Sequence, residues 1–390
     1  MSTKSMLVAG VMSGTSADGI DVALALIAGS KGQPKLTFIA HEAFPYSTAL
    51  RRAVLAAMNA ESISTAELAR LNWRLGLEYA EAVKATALLH GETIDLVGCH
   101  GQTLYHQARI TPYVEKSFAC TWQAGEMSML AAAVQAPVVS NFRPADMVAG
   151  GEGAPLVPLL DYTLFSDAKR GRVLQNIGGI ANLTAIPAGG EADRLIAFDT
   201  GPGNMVMDAL AEMLLGKKYD RNGESAAKGT VLEPVLQRSL RDGYFSRKPP
   251  KSAGREQYGR EYVDSFLDEC RRVSRKPEDA LATATALTAA SIESGYKRFV
   301  QSAMQGKDVD YIVSGGGAKN ATLMKMLYER LLPLKCSLKT STDFGLPAEA
   351  KEAVAFALLA WQTWHKLPGN VPSATGARKP VVLGQVTYAP

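Results

Sequence analysis

The sequence predicts a protein of two α/β domains. Three observations predict it. The chain has 390 residues, too long for one ordinary core and suited to two. Each half opens on consecutive apolar, strand-like runs before turning to mixed α/β. A glycine-rich stretch, 149–158, lies between the halves.

The elements follow in order. Leu7–Met12 and Ile20–Ile27 are apolar runs joined by a small-residue turn, Ser13–Gly19, and read as a hairpin, with Leu36–Ala43 as a third strand. Residues 64–89 have helical periodicity through Leu68, Leu71, Leu75, Tyr79 and Val83. Ile94–Cys99 and Pro137–Asn141 read as buried strands. The first leads into His100-Gly101-Gln102-Thr103, the second into Phe142-Arg143-Pro144. In the second half, Arg172–Ile177, Ala181–Ile186 and Leu195–Phe198 read as strands and Gly203–Leu215 as a helix. A long helical stretch covers 280–305, Tyr311–Val313 is a strand, and helices are expected from about Asn320 and over 348–365. The Pro/Gly-rich tail from Pro368 closes on Val381–Leu383. The boundary is placed near 145–170, giving domains 1–145 and 146–365 with a cleft between them. The tail, about 366–390, returns to the first domain, and the C-terminal helix is expected to pack there too.

Composition narrows the function. Hydrophobic residues make up 47% and charged residues 21%, ordinary for a globular protein. Lys+Arg number 42 against Asp+Glu 38, a net +4 that argues for neither nucleic acid nor an acidic membrane. The nearest thing to a basic cluster, Arg247–Lys251, contains two prolines and reads as a loop. Cys99, Cys120, Cys270 and Cys336 form no CxxC pair, so neither a zinc site nor a disulfide framework is indicated, and a cytoplasmic location is expected. Met6–Met12 is too short for a signal peptide, and no apolar run approaches the ~20 residues of a membrane helix.

Three glycine turns carry the chemistry. Ser13-Gly14-Thr15-Ser16-Ala17-Asp18-Gly19 offers backbone N–H groups and hydroxyls to an anion, while Asp18 and Asp21 suggest a bound cation beside it. It joins two strands, and the chain has no GxxxxGK[ST] motif, so it is not a P-loop. In Phe198-Asp199-Thr200-Gly201-Pro202-Gly203-Asn204 an acid ends a strand and glycines open a helix, whose N-terminus is expected to take a phosphate. Gly315-Gly316-Gly317, between strand and helix, permits close approach of a flat or charged ligand.

The order of these turns resembles the actin and sugar-kinase superfamily, in which the first two hold phosphates and the third adenosine. That resemblance implies two actin-like (ribonuclease H-like) domains and an ATP cleft. The usual Asp before the first turn is Met12 here, so Asp18 is expected to take part of its role. A finer resemblance, to the anhydro-N-acetylmuramic acid kinase family, covers nearly the whole chain. Its carriers are MSGTSADGID (12–21), HGQT (100–103), NFRPADMVAGGEGAPLVP (141–158), NIGGIANLT (176–184), FDTGPGN (198–204), KSAGRE (251–256), SGGGAKN (314–320) and the closing PSATGA and VLG. The family's usual acid before Phe-Arg is Asn141 here.

The resemblance implies ATP and Mg2+ as cofactors and Asp199 as catalytic base. It implies nucleotide contacts from Ser13, Gly14, Thr15, Ser16, Ala17, Asp18, Gly19 and Ile20, from Gly178, Gly179, Gly201, Gly203 and Asn204, and from Gly315, Gly316 and Gly317. Asp18 is the expected metal ligand, and His100, Gln102, Arg143 and Glu352 are expected at the sugar. The expected partner is a small anhydro sugar, with a homodimer as the candidate assembly. In the implied reaction Asp199 deprotonates a water that attacks C1, and the freed O6 takes the γ-phosphoryl group. A levoglucosan kinase and a non-catalytic ATP-switch protein of the same fold are the alternatives. The 149–158 glycines are hinge candidates.

Overall fold

Apolar residues along the first strand sort to two sides because successive side chains of a strand point to opposite faces. In β1 (Thr3–Ser13) of the computed structural model, Leu7, Ala9 and Val11 enter one buried cluster and Val8 another. The structure describes residues 3–14, 16–30, 33–347 and 349–390. The chain divides into two units, Met1–Leu164 with Gly345–Pro390, and Phe165–Phe344.

In the first unit β1, β2 (Gly19–Ser30) and β3 (Gln33–Pro45) form an antiparallel meander. β4 (Leu96–Tyr113) pairs parallel with β1, and β6 (Val138–Ser140) parallel with β4. β5 (Lys116–Ala124) folds back on β4, and Gln385–Thr387 pairs with β6. Helix Thr65–His90 covers one face; it is capped by Ser64, which accepts from the Glu67 amide at 3.1 Å, and ends on Gly91 in the left-handed region. Helix Lys351–Trp364 covers the other face. A Cβ on Gly10 would collide with the Ala353 carbonyl, and one on Gly98 with that of Phe356, so the helix lies directly on the backbone of β1 and β4.

The second unit repeats the order. β7 (Gly171–Ile177), β8 (Ile180–Ile186) and β9 (Ile196–Pro202) form a meander. β10 (Val309–Ser314) pairs parallel with β7, and β11 (Cys336–Thr340) parallel with β10. Helix Pro277–Gly295 is buried almost throughout and packs with helices Asn204–Leu215 and Ala321–Leu331. In both units the first three strands lie 3-2-1, with the fourth parallel beside the first and another beyond it. That is the ribonuclease H-like order of actin-like proteins, the fold class expected from the sequence.

Three elements depart from the sequence reading. β4 runs on past Cys99 to Tyr113 and pairs with a strand not foreseen, because beyond Leu104 the hairpin leaves the core and most of its side chains are exposed. The helix expected over 280–305 ends at Gly295 and continues as a π turn, Tyr296–Val300, and a 3-10 turn, Gln301–Met304. The tail pairs at Gln385–Thr387, beyond the expected Val381–Leu383. The chain leaves the first unit after Leu164 and re-enters it at Gly345, so helix Lys351–Trp364 belongs with the first unit.

Candidate functional site

The turn after β1 is fastened from within the first unit. Ser13 is buried and its hydroxyl lies 2.9 Å from the Tyr79 hydroxyl. The Gly14 carbonyl accepts from the Ala17 amide at 3.1 Å and from the Gln102 side-chain amide at 3.0 Å. Gln102 is therefore a support of this turn, reaching it from β4. Ala17 is buried with φ +52°, Ile20 is in the core, and a Cβ on Gly19 would strike the Phe44 carbonyl. These three hold the loop's shape, while Ser16 and Asp18 are exposed and Gly14 half-buried. Asp18 pairs with Arg51 at 3.2 Å, and Arg51 also donates to the Ser16 carbonyl at 3.4 Å. Asp21 is taken by His41 at 2.9 Å. Thr15 lies outside the described residues.

Behind that turn, Arg143 is built into a network. Its Nε and Nη2 donate to His100 Nε2 at 3.1 and 2.8 Å, and Nη1 donates to the Gly153 carbonyl at 2.7 Å. His100 Nδ1 donates to the Gly101 carbonyl at 2.7 Å, so Nε2 is the acceptor and the ring is neutral. Burial and the adjacent guanidinium hold the His100 pKa well below the ordinary imidazole value. Both ring nitrogens are used inside the protein. His100 orients Arg143. Burial lowers Arg143 to about 10, against the pull of Glu352. Glu352, in the first turn of helix Lys351–Trp364, is open to solvent yet surrounded by protein. Desolvation raises its carboxyl pKa, Arg143 opposes this, and Asp21 adds to it.

The glycine stretch beside Arg143 is anchored by a residue the sequence reading passed over. Asp146 is fully buried. Its Oδ2 accepts from the Gly153 amide at 2.8 Å, and its Oδ1 from Asn370 and Thr375 at 2.7 Å each. The Glu152 amide donates to the Thr375 carbonyl at 2.8 Å. The 149–158 glycines, read as a hinge, are thus pinned to the tail within the first unit.

In the second unit Asp199 sits mid-strand, because β9 runs on past Phe198 through the glycine turn to Pro202 and does not end at the acid as expected, and it is gripped on three sides. Its amide donates to the Lys251 carbonyl at 3.1 Å, its carbonyl accepts from the Tyr244 hydroxyl at 2.7 Å, and its Oδ2 accepts from the Ala253 amide at 2.8 Å. The segment KSAGRE supplies two of these contacts. Its local signal was present in the sequence, but its purpose was not.

The start of the helix after Asp199 is tied to the turn between β7 and β8. The amides of Gly203, Asn204 and Met205 donate to the carbonyls of Gly179, Gly178 and Gly179, at 2.9, 2.7 and 3.1 Å. Three amide donors at this helix start are thus engaged within the protein. Gly203 is a close-approach glycine, since a Cβ there would strike the Gly178 carbonyl. Gly201, at φ +144°, is backed by Phe245. In the third turn, side chains on Gly315 or Gly317 would clash with Asn176 or Ile177 at the end of β7. Gly316 alone is exposed, with only Asn204 Nδ2 near, at 3.3 Å from a built Cβ.

Gly316 and Asn204 line a cavity of about 420 Å3, with Met207, Asp208, Tyr219 and Asn320 among its walls. Burial raises the Asp208 carboxyl to about 6. Asp220, also in the wall, is committed to the amides of Ser225 and Ala226 at 2.9 and 2.8 Å. The cavity offers glycine backbone, an aromatic ring and one carboxylate to a flat polar ligand. Among the described residues no group of three or more His, Cys, Asp or Glu forms a metal cage, and no helix is long and apolar enough to cross a membrane.

Comparisons with known proteins bear on this geometry. The model of the family described as Anhydro-N-acetylmuramic acid kinase matches residues 6–389. A protein of that name from Bacillus cereus strain AH187 is 44% identical over 387 residues, covering 98% of this chain and 99% of its own. Another, from Bacillus thuringiensis subsp. konkukian, is 42% identical over 388 residues, covering 99% of this chain and all of its own. Among solved structures, the activator of 2-hydroxyisocaproyl-CoA dehydratase from Clostridium difficile with bound ADPNP overlaps 92% of this chain and 95% of its own. That overlap has 13% identity and a TM-score of 0.43. A ROK family glucokinase from Streptomyces griseus in complex with glucose and AMPPNP covers 91% of this chain and 99% of its own, at 13% identity and a TM-score of 0.37. At such scores the fold rests on the strand order alone.

Proposed function

Since the chain belongs to the anhydro-N-acetylmuramic acid kinase family, we propose that it uses ATP and water to open 1,6-anhydro-N-acetylmuramic acid and phosphorylate its O6. The product is N-acetylmuramic acid 6-phosphate, and the setting is cytoplasmic recycling of cell-wall sugar. The observation that carries the reading is the three-sided grip on Asp199, which fixes the residue through its amide, its carbonyl and its carboxylate.

In the substrate O6 is tied to C1 and bears no proton, so the ring has to open as the phosphate transfers. Asp199 takes a proton from water, and the resulting hydroxide forms the C1–O bond as C1–O6 breaks. The electron pair of that bond goes to O6, which displaces ADP from the γ-phosphorus in line. Arg143, aimed by His100, meets the lactyl carboxylate as a fork, and Glu352 faces the sugar hydroxyls. The adenosine enters the Gly316 cavity, where Asp208 accepts from a ribose hydroxyl and Tyr219 offers a ring face. Mg2+, when bound, neutralises charge on the phosphates. It needs only one or two carboxylates beside phosphate and water, and Asp18, on the exposed side of the first turn, would hold it by exchanging its pair with Arg51 for the cation.

The test is a single turnover in ¹⁸O-labelled water with rapid trapping and mass spectrometry of the product. One labelled oxygen is expected on C1 and none in the phosphate ester. Label in the phosphoryl group would mean that water attacks phosphorus. No label on C1 of a phosphorylated sugar would mean that an existing hydroxyl is the acceptor. Either outcome overturns the mechanism.

A further inference from the structure

Lys251 has no part in the chemistry described above, yet its setting is unusual for a lysine. It is 6% exposed. Its ammonium lies 4.5 Å from the ring centre of Tyr244, 5.0 Å from Phe299 and 5.5 Å from Phe198, a three-ring cage. Its Nζ donates to the Tyr244 carbonyl at 3.1 Å. An apolar side chain of similar length would fill such a cage without the cost of burying a charge, so the amine has to supply something an apolar side chain would not.

What it supplies follows from the bonds around Asp199. One arm of the grip is the Tyr244 hydroxyl on the Asp199 carbonyl. The other is the segment from Lys251 to Ala253, which takes the Asp199 amide and donates to its carboxylate. The Lys251 side chain ties the second arm back to the backbone of the first. Resting on the reading of Asp199 as the base, we infer that Lys251 is its positioning residue. The ammonium staples the two arms together, and its charge favours the ionised carboxylate.

The charged groups facing the cage set its pH behaviour. Burial, joined by Arg247 and Arg298 and opposed by Asp199, lowers Lys251 to about 8. Tyr244 is itself raised by burial and by Asp199, so it stays protonated and able to donate. The lysine charge is present below about 8 and lost as pH rises through it. Its removal destabilises the Asp199 anion and moves the base's titration upward.

The experiment compares kcat against pH for the wild type, Lys251→Met, Lys251→Arg and Tyr244→Phe, with ATP affinity measured directly on each. Lys251→Met is expected to lose kcat, to shift the acid limb upward by on the order of half to one pH unit, and to lose the alkaline limb near 8. Lys251→Arg keeps the charge and the wild-type acid limb. Tyr244→Phe removes one arm but no charge, so kcat falls while the acid limb stays. ATP affinity is unchanged in all three. A Lys251→Met profile superimposable on the wild type overturns the inference. Should Lys251→Met fail to bind ATP, Lys251→Arg and Tyr244→Phe decide it: an acid limb that moves in Tyr244→Phe, or in Lys251→Arg, overturns it equally. Asp199→Asn separates the two readings. Activity surviving in Asp199→Asn removes the base, whereas an inactive Asp199→Asn beside a normal Lys251→Met removes only the role of Lys251.

Discussion

Replacing Asp199 by Asn tests the base with little disturbance to its surroundings. The Ala253 amide, 2.8 Å from Oδ2, needs an acceptor, and the asparagine carbonyl oxygen supplies one. The backbone arms from Lys251 and Tyr244 do not involve the side chain and remain. The variant therefore loses proton-accepting power while these three contacts remain. General base catalysis contributes about 10²–10⁴-fold, or roughly 3–5 kcal/mol of barrier, so kcat is expected to fall by that factor. ATP affinity and Tm stay at wild-type values. Asp199→Ala is the control, because it leaves the Ala253 amide without its partner. An unsatisfied half-buried donor costs about 1–3 kcal/mol, so this variant melts earlier as well as being inactive. A coupled ADP-release assay with the anhydro sugar, calorimetric titration of ATP and a thermal melt of each variant give the three readouts. Asp199→Asn turning over at near the wild-type rate would refute the assignment, and equal melting of the Asn and Ala variants would refute the account of the Ala253 contact.

Two further outcomes are expected. Arg143→Ala removes a fork that donates to His100 and Gly153, and loss of a charge-assisted hydrogen bond costs about 1.5–3 kcal/mol. KM for the muramic acid sugar is expected to rise by one to two orders of magnitude on that scale, and KM for levoglucosan, which has no carboxylate, much less; equal rises for both sugars would count against a carboxylate contact. Asp208→Asn acts on stability and binding in opposite directions. Burial raises this carboxyl from 3.8 to about 6, so between those values the folded state binds the extra proton and stability falls as pH rises. At pH 7 the folded protein carries that cost in full, on the order of 1–3 kcal/mol. The Asn variant is expected to melt higher at pH 7, to show no advantage at pH 4, and to bind ATP more weakly while losing the preference for ATP over 2′- or 3′-deoxy-ATP; unchanged discrimination would remove the ribose contact.

The legible parts of this protein were those where one local signal decides the outcome. Leu7–Met12 and Ile20–Ile27 declared strands because both faces of their sheet are buried, which leaves continuous apolar runs. Residues 64–89 declared a helix because Ser64 caps it and one apolar stripe faces the sheet. The β4–β5 hairpin past Leu104 gave no such signal, since most of its side chains face solvent and nothing imposes a period on them. At the site, glycine turns could be located but not sorted. Gly10, Gly203, Gly315 and Gly317 are glycines because backbone or a side chain occupies the place of a Cβ, whereas Gly316 opens on a cavity. Only the fold separates the two causes. Asp146, Tyr244 and Lys251 were missed for a related reason: each acts on residues far away in sequence, Asp146 on Asn370 and Thr375, Tyr244 on Asp199.

The repeated strand order places two turns in equivalent positions, and their lengths divide the work between them. The turn between β1 and β2 spans residues 14–18, long enough to expose Ser16 and Asp18 while Gln102 and Ala17 hold the Gly14 carbonyl inward. The turn between β7 and β8 has only Gly178 and Gly179, and both carbonyls point at the start of helix Asn204–Leu215. In a trans peptide the N–H lies opposite its C=O. The Gly178 carbonyl is bound to the Asn204 amide, so the Gly179 N–H of the same peptide faces away from the helix. The sequence pointed to an anion at this helix start. Hydrogen bonds occupy the amides of Gly203, Asn204 and Met205 at that end, while the Gly179 N–H of the turn that takes them faces outward from the helix.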